Sequence, residues 1–282
     1  MYLLMIFLTL MCIIPFVLLF SSSITSEASL TVNGYSLFPS EISLEAYRFL
    51  WKTKASILRS YINSFLITSI GTVFNVALTF LFAYPLSRKE LPGRKFFSFF
   101  LFFTMLFNGG FVPTYLVYSN VFHITDTFAA MIVPYLLMNA FYVIMARTYI
   151  MSNIPDGVLE AAMIDGSNEF QNLFRIVVPM SKPILATIAL MSAIAYWNNW
   201  TNGVYFITTK TDLHGIQNFL NSVMNNVAML QSRSTGLSNS QPLPSIGIRM
   251  ALAVIAVIPI LLAYPFFQKS FVKGITIGSV KG

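Results

Sequence analysis

The sequence predicts an all-α membrane protein with six transmembrane helices. Three observations predict it. The chain is 56% hydrophobic and 10% charged, with a mean hydropathy of +0.71, whereas soluble domains carry about 25% charged residues. Six stretches lack every Asp, Glu, Lys and Arg: 1–26, 60–87, 96–125, 127–146, 183–209 and 250–268. The shortest, 250–268, still has nineteen residues, close to the about 20 that a helix needs to cross ~30 Å of hydrocarbon. Strands of a membrane barrel would instead be alternating segments of about 10 residues.

Taken in order, the spans are expected near 2–21, 60–86, 96–120, 128–150, 183–206 and 247–267. The first has no basic leader and no A-x-A-like site after it, so it reads as a span and not as a secretion signal. The third contains "FNGGFVP", whose glycines and proline predict a bent or broken helix. A seventh uncharged run, 213–232, is rich in Asn and Gln. Its apolar residues Ile216, Phe219, Leu220, Val223, Val227 and Leu230 recur at helical spacing. That pattern predicts an amphipathic surface helix within an external loop, 207–245.

Cys12 is the single cysteine, so no intrachain disulfide can form. The net charge of +7 is spread along the flanks of the spans, which argues against a nucleic-acid surface. The loop "RKELPGRK" holds four basic residues, and "VFHITD" on the opposite side holds no Lys or Arg. The positive-inside rule then places both termini, the segment 152–180 and the tail 269–282 in the cytoplasm.

The acids are concentrated. Of ten Asp and Glu residues, Asp156, Glu160, Asp165 and Glu169 fall within fourteen positions. Pro155 and Asp156 suit the start of a short helix. Gly166 suits a left-handed stop. Ser167 is expected to cap a second helix with Glu169 in its first turn, Pro179 to end it, and Pro183 to open the fifth span. Ala161, Ala162 and Gly166 leave room for a close approach, while Leu159, Met163, Phe170, Leu173 and Phe174 offer apolar area. A helix pair lying on lipid would be richer in Lys and Arg, so a docking element for a protein partner is the better reading.

The run "EAAMIDGSNEFQNLFRIVVPMSKP" resembles the EAA signature, E-A-A-x-x-x-G with a downstream I-x-x-P, of permease subunits of bacterial ATP-binding-cassette (ABC) importers. Asp165 before Gly166, then Pro179 and Pro183, resemble the carbohydrate-uptake form. The tail "FFQKSFVKGITIGSVKG" is similar to the MalG-like branch. "SLEAYRFLW", "NGGFVPTYLV" and "YWNNW" resemble its LplC-like polysaccharide subgroup. The resemblance covers nearly the whole chain.

It implies the type I importer permease fold, MetI- and MalG-like, in the bacterial plasma membrane. It implies a MalF- or LplB-like second permease, two ABC ATPase subunits that hold ATP and Mg, and an extracellular solute-binding protein. The cargo implied is an oligosaccharide or glycan fragment; a peptide, lipid-linked or amino-acid cargo is the alternative. By the same resemblance 152–180 is the coupling loop, with Glu160, Ala161, Ala162, Asp165, Gly166 and Phe170 at the ATPase. Glu160 and Gly166 are its least tolerant positions, and Asp165 stabilises the turn. Lys273, Gly274 and Gly278 match a tail that reaches the ATPase interface.

The residues themselves agree that ATP is handled elsewhere. There is no G-x-x-x-x-G-K-[ST] phosphate cradle. The runs hold no Asp, Glu, Lys or Arg, whereas proton- or sodium-coupled carriers usually place ionisable groups in the membrane interior. His123 and His214 lack neighbours at metal-ligand spacing, and no nucleophile–base pair suggests catalysis, so no cofactor is expected on this chain. Cargo contact is expected from amides and aromatics within the spans: Asn75, Asn108, Asn139, Tyr142, Trp197, Asn198 and Asn199. Interhelical hydrogen bonds, worth about 0.6 kcal/mol per pair, account for the same amides equally well.

Overall fold

A computed structural model describes residues 2–234, 246–259 and 261–262, with side chains given for all of these except 226–234. The expected tail residues Lys273, Gly274 and Gly278, the loop 235–245 and the end of the sixth expected span lie outside the described residues.

The described residues are mostly helical. Its helices are α1 Tyr2–Ser23, α2 Glu27–Asn33, α3 Glu45–Lys52, α4 Lys54–Ser87, α5 Arg94–Leu106, α6 Phe111–Val121 and α7 Phe128–Ile132. They continue as α8 Ala140–Asn153, α9 Asp156–Ile164, α10 Glu169–Met180, α11 Lys182–Trp197, α12 Thr201–Phe206, α13 Ile216–Ser234 and α14 Ile246–Pro259. Extended pairing among the described residues is confined to one bridge between Thr25 and Ile42.

Two compact units form, one from the described parts of 1–62 and 215–264, the other from 63–214. In the first, Ala46 and Leu50 of α3 pack with Ile248, Ala251 and Leu252 of α14, and Phe219, Leu220 and Val223 of α13 close over them. The Glu27 carboxylate accepts the N–H groups of Ile246 and Gly247, both at 2.9 Å. These are the first donors of α14, which have no partner within the helix itself. Of the apolar residues that helical spacing singled out, Ile216 is buried and Phe219, Leu220 and Val223 pack against this core; Val227 and Leu230 lie among the residues whose side chains are not described.

Among the described residues, only α1 and α4 are long and apolar enough to cross a membrane unaided. Two further pairs qualify only together: α5 with α6, bent by 116°, and α10 with α11, bent by 84°. α14 is a shorter apolar helix. The six expected spans therefore correspond only roughly to unbroken helices. Freedom from charge measures how much chain can sit in lipid, and it carries no information on where a helix is interrupted. The third expected span breaks at 107–110, where the Asn108 side chain accepts the Gly110 N–H at 2.9 Å. The fourth unwinds between α7 and α8, and the fifth is interrupted at 198–200.

The second break organises the core of the 63–214 unit. Pro134 lacks the N–H that a continuing helix would use, and Tyr135 takes a left-handed φ of 64°, uncommon outside glycine. Carbonyls released by the unwinding cannot be left bare in an apolar interior. Three side chains catch them at alternate residues. Tyr196 Oη donates to Ile132 O at 3.1 Å, Asn202 Nδ2 to Pro134 O at 2.9 Å, and Asn75 Nδ2 to Leu136 O at 2.7 Å. Asn139 then restarts the helix, its side chain accepting the Phe141 N–H at 2.9 Å. Tyr196 reaches its carbonyl only because residue 71 is glycine: a Cβ there would lie 2.5 Å from the tyrosine ring.

A second fastening closes the turn before α7. Asp126 donates its N–H to Phe206 O at 2.8 Å. Its carboxylate accepts the N–H groups of Thr208, Thr209 and Lys210 at 2.8, 2.8 and 3.1 Å, and the Thr208 hydroxyl at 2.9 Å. Those donors, Thr209 and Lys210 foremost, hold the carboxyl far below the usual carboxylate range.

Candidate functional site

The acid-rich segment folds as two helices around a tight turn. Pro155 is the N-cap of α9, extended at φ −63° and ψ 136°, and Asp156 occupies the first turn. Gly166 sits at φ +87°. Its N–H donates to Met163 O at 3.0 Å, and that of Ser167 to Ala162 O at 2.9 Å. This pair of bonds is the Schellman closure. The turn is thus closed by the main chain. The Asp165 carboxylate, expected to stabilise it, is exposed and makes no hydrogen bond or ion pair among the described residues.

The cap of the second helix also differs from expectation. Asn168, not Ser167, is the N-cap of α10: its Oδ1 accepts the Gln171 N–H at 2.9 Å, and the Gln171 side chain accepts the Asn168 N–H at 3.1 Å. This reciprocal box satisfies two of the helix's free donors. The Ser167 hydroxyl turns inward instead and donates to the buried Asn172. Pro179 does not end the helix. It sits in the last turn of α10, after a widened π turn at Leu173–Val177, and the break falls at Ser181.

Leu159 and Leu173 anchor the two helices in a core shared with α4, α5, α8 and α11. Their other faces point away from it. Ile164 is 87% exposed, Phe170 69% and Phe174 59%. Between α9, α10, the end of α4 and the loop after it lies a groove of about 510 Å³, lined by Tyr84, Arg88, Leu91, Glu160, Glu169 and Phe170 among others.

The four acids separate into two classes. Asp156 pairs with Lys89 at 2.9 Å; the Lys89 bond lowers the Asp156 carboxyl and raises the lysine. Glu169 accepts the Tyr84 hydroxyl. Glu160 and Asp165 have no such partner among the described residues and stand in solvent. Tyr84, Arg88, Glu90 and Leu91 were not singled out by sequence reasoning as parts of this site. Tyr84 lies 85 positions from Glu169, and no local pattern connects them. The basic loop was legible only as an orientation signal.

The expected cargo residues are not gathered in one place. Asn75, Asn139 and Tyr142 meet, with Ser192, at a cavity of about 20 Å³ beside the unwound segment. Asn75 is 1% exposed and Tyr142 8%, so both serve the fold there. Asn108 is at the α5–α6 break. Trp197 ends α11, Asn198 caps it, and Asn199 accepts the Asn202 N–H at 2.9 Å.

Residues 1–277 match the family described as binding-protein-dependent transport system inner membrane component. The chain belongs to that family. As one of its members it is a membrane-spanning permease subunit of an ABC importer. It is 37% identical to the polygalacturonan/rhamnogalacturonan transport system permease protein YtcP of Bacillus subtilis, over 97% of this chain and 94% of that one. It is 36% identical to protein LplC of the same organism, over 96% and 90%. A solved permease chain superimposes with a TM-score of 0.82 at 29% identity, covering 96% of this chain and 94% of its own; it belongs to a bacterial ABC transporter that imports the acidic polysaccharide alginate.

Proposed function

We propose that this permease forms half of the translocation path for an oligosaccharide or glycan fragment, and that the α9–α10 turn is where an ATPase subunit docks. One observation carries the docking reading: Glu160 and Asp165 are exposed acids without a partner among the described residues, and Glu160 shares the lining of a groove with the exposed Phe170. Two unused charges next to bare aromatic surface fit a partner that brings basic and apolar groups, whereas lipid headgroups repel acids. Glu160, Ala161, Ala162, Asp165, Gly166 and Phe170 form the contact, with the groove behind them. ATP and Mg bind in the partner ATPases, and their closure moves α9 and α10. Through Leu159 and Leu173 that motion reaches the core of the 63–214 unit.

The remaining partners are a MalF- or LplB-like second permease and an extracellular solute-binding protein. The termini and the docking turn face the cytoplasm. The tail around Lys273, Gly274 and Gly278 reaches the same ATPases. A glycan cargo is supported by relatives named for polygalacturonan and rhamnogalacturonan, and by the alginate importer. Cargo contact falls to the exposed Asn108 and Asn139 rather than to Asn75.

The test is co-purification of the tagged chain from its own cell in mild detergent, wild type against Glu160→Lys. We expect a second permease and an ATPase with the wild type, and selective loss of the ATPase with the variant. An ATPase that stays bound, with unchanged glycan-stimulated ATP turnover, would remove Glu160 from the interface.

A further inference from the structure

Two arginines outside the coupling groove carry charge without a counter-ion among the described residues. Arg94 opens α5; its Nε donates to Leu86 O at 3.0 Å, and its Nη2 lies 3.4 Å from Met151 Sδ. Arg147 is four residues before Met151, so both stand on one face of α8. The helices α5 and α8 pack together, and the Arg94 contact with Met151 sets its guanidinium one helical turn from Arg147. Nε of Arg147 is shielded from solvent yet meets no acceptor. Among the described residues no carboxylate pairs with either arginine. The acids of the flanking segments are used elsewhere, Glu90 with Arg88 and Asp156 with Lys89.

What lies next to the pair is apolar. Immediately after Arg94 and Lys95, α5 presents Phe96, Phe97, Phe99 and Phe100, each more than half exposed at 65, 51, 64 and 57%. A charge pair that lacks an anion thus borders directly on a bare aromatic strip at one end of an apolar helix.

We propose that Arg94 and Arg147 bind the phosphate headgroup of an anionic phospholipid, whose acyl chains lie along the phenylalanines of α5. A phosphate offers several acceptor oxygens to two guanidinium forks, and such charge-assisted bonds are the strong ones. It neutralises two like charges that the protein holds near each other. Basic pockets between membrane helices select anionic headgroups for this reason. A soluble anion would satisfy the arginines but leave the aromatic strip unaccounted for. This site is independent of the docking groove and of the cargo.

The experiment uses the complete transporter, purified with its partner subunits and placed in phosphatidylcholine nanodiscs with or without phosphatidylglycerol. The readouts are lipid retained in native mass spectrometry and the unfolding midpoint. Wild type is expected to retain phosphatidylglycerol and to gain on the order of 2–4 °C from it. Arg147→Gln should lose both effects, and Arg147→Lys should keep a part. The Arg147 side chain makes no hydrogen bond or ion pair among the described residues, so the substitution breaks none. Equal stabilisation of wild type and Arg147→Gln would overturn the proposal. So would a full shift from glycerol phosphate alone, which would mark a site for free anions. A complex that falls apart in neutral lipid when Arg147 is replaced would point to a partner carboxylate and overturn it too.

Discussion

The α9–α10 turn and the unwound segment between α7 and α8 are both interruptions of helix, and they are built in opposite ways. The α9–α10 turn is closed by near neighbours: Gly166 to Met163, Ser167 to Ala162, Asn168 to Gln171. The unwound segment is closed by residues remote in the chain, with Asn75, Tyr196 and Asn202 bonding carbonyls 61 to 68 positions away. A turn in water can leave its other groups to solvent. A turn in an apolar core cannot, so its carbonyls recruit donors from other helices. The difference teaches where each substitution should act: changes in the docking turn should affect coupling and spare stability, and changes around the unwound segment should do the reverse.

The comparison is most exposed to failure at Asn202. Asn202→Leu removes a buried amide that donates to both Pro134 O and Met131 O, at 2.9 and 3.4 Å, two hydrogen bonds of about 0.5–1.5 kcal/mol each and so about 1–3 kcal/mol of destabilisation. Thermal unfolding of the purified complex measures it. An unchanged midpoint would mean that the segment holds its shape without its donors. Gly71→Ala is the next largest effect. The added methyl would meet the Tyr196 ring at 2.5 Å, and overpacking of this kind costs about 1–3 kcal/mol. Pairing it with Tyr196→Phe sharpens the result, because a smaller loss in the double variant than the sum assigns the damage to the Tyr196 bond.

At the docking turn, Gly166→Ala forces a side chain into the left-handed region and should cost about 1 kcal/mol. Its unfolding midpoint should move less than that of Asn202→Leu, while ATP-driven uptake should fall several-fold, since the turn is proposed to fit a partner. Uptake that tracks the midpoint in both variants would erase the distinction between the two interruptions.

The smallest effect is one of pH, at Asp126. Its carboxyl is lowered from the ordinary 3.8 by the N–H groups of Thr209 and Lys210 first, then by Thr208. A depressed carboxyl contributes stability that is fully present above its unfolded value and is lost as pH falls through the folded one. Unfolding midpoints of wild type and Asp126→Asn should therefore differ by a constant amount from neutral pH down to about 4, then converge in stronger acid. A gap that opens at low pH instead of closing would reverse the sign.

The legible part of the molecule was the part written in local chemistry. Charge-free runs foretold a helical membrane protein, Gly166 foretold the left-handed stop, and "FNGGFVP" foretold the bend that measures 116°. Where two short polar residues adjoined, as at Ser167 and Asn168, the choice of cap was not legible, because it turned on which side chain Asn172 would claim. The division of the four acids was not legible either. Asp156 and Glu169 are engaged by Lys89 and Tyr84, residues of another segment, so only their pairing reveals which acids are left over.

By itself the sequence determined the class of protein, the place of the α9–α10 turn and the family to which the chain belongs. These rest on hydropathy, on the backbone freedom of one glycine and on the spacing of a short motif, all of which act between residues close in the chain. Tertiary structure alone decided that the fourth expected span unwinds, that Asn75 is buried against the Leu136 carbonyl, and that Glu160 and Asp165 are the two of the four clustered acids without a partner among the described residues. Each of those outcomes depends on a partner dozens of residues away, and a hydrogen bond is specified only when packing has brought both of its ends within about 3 Å.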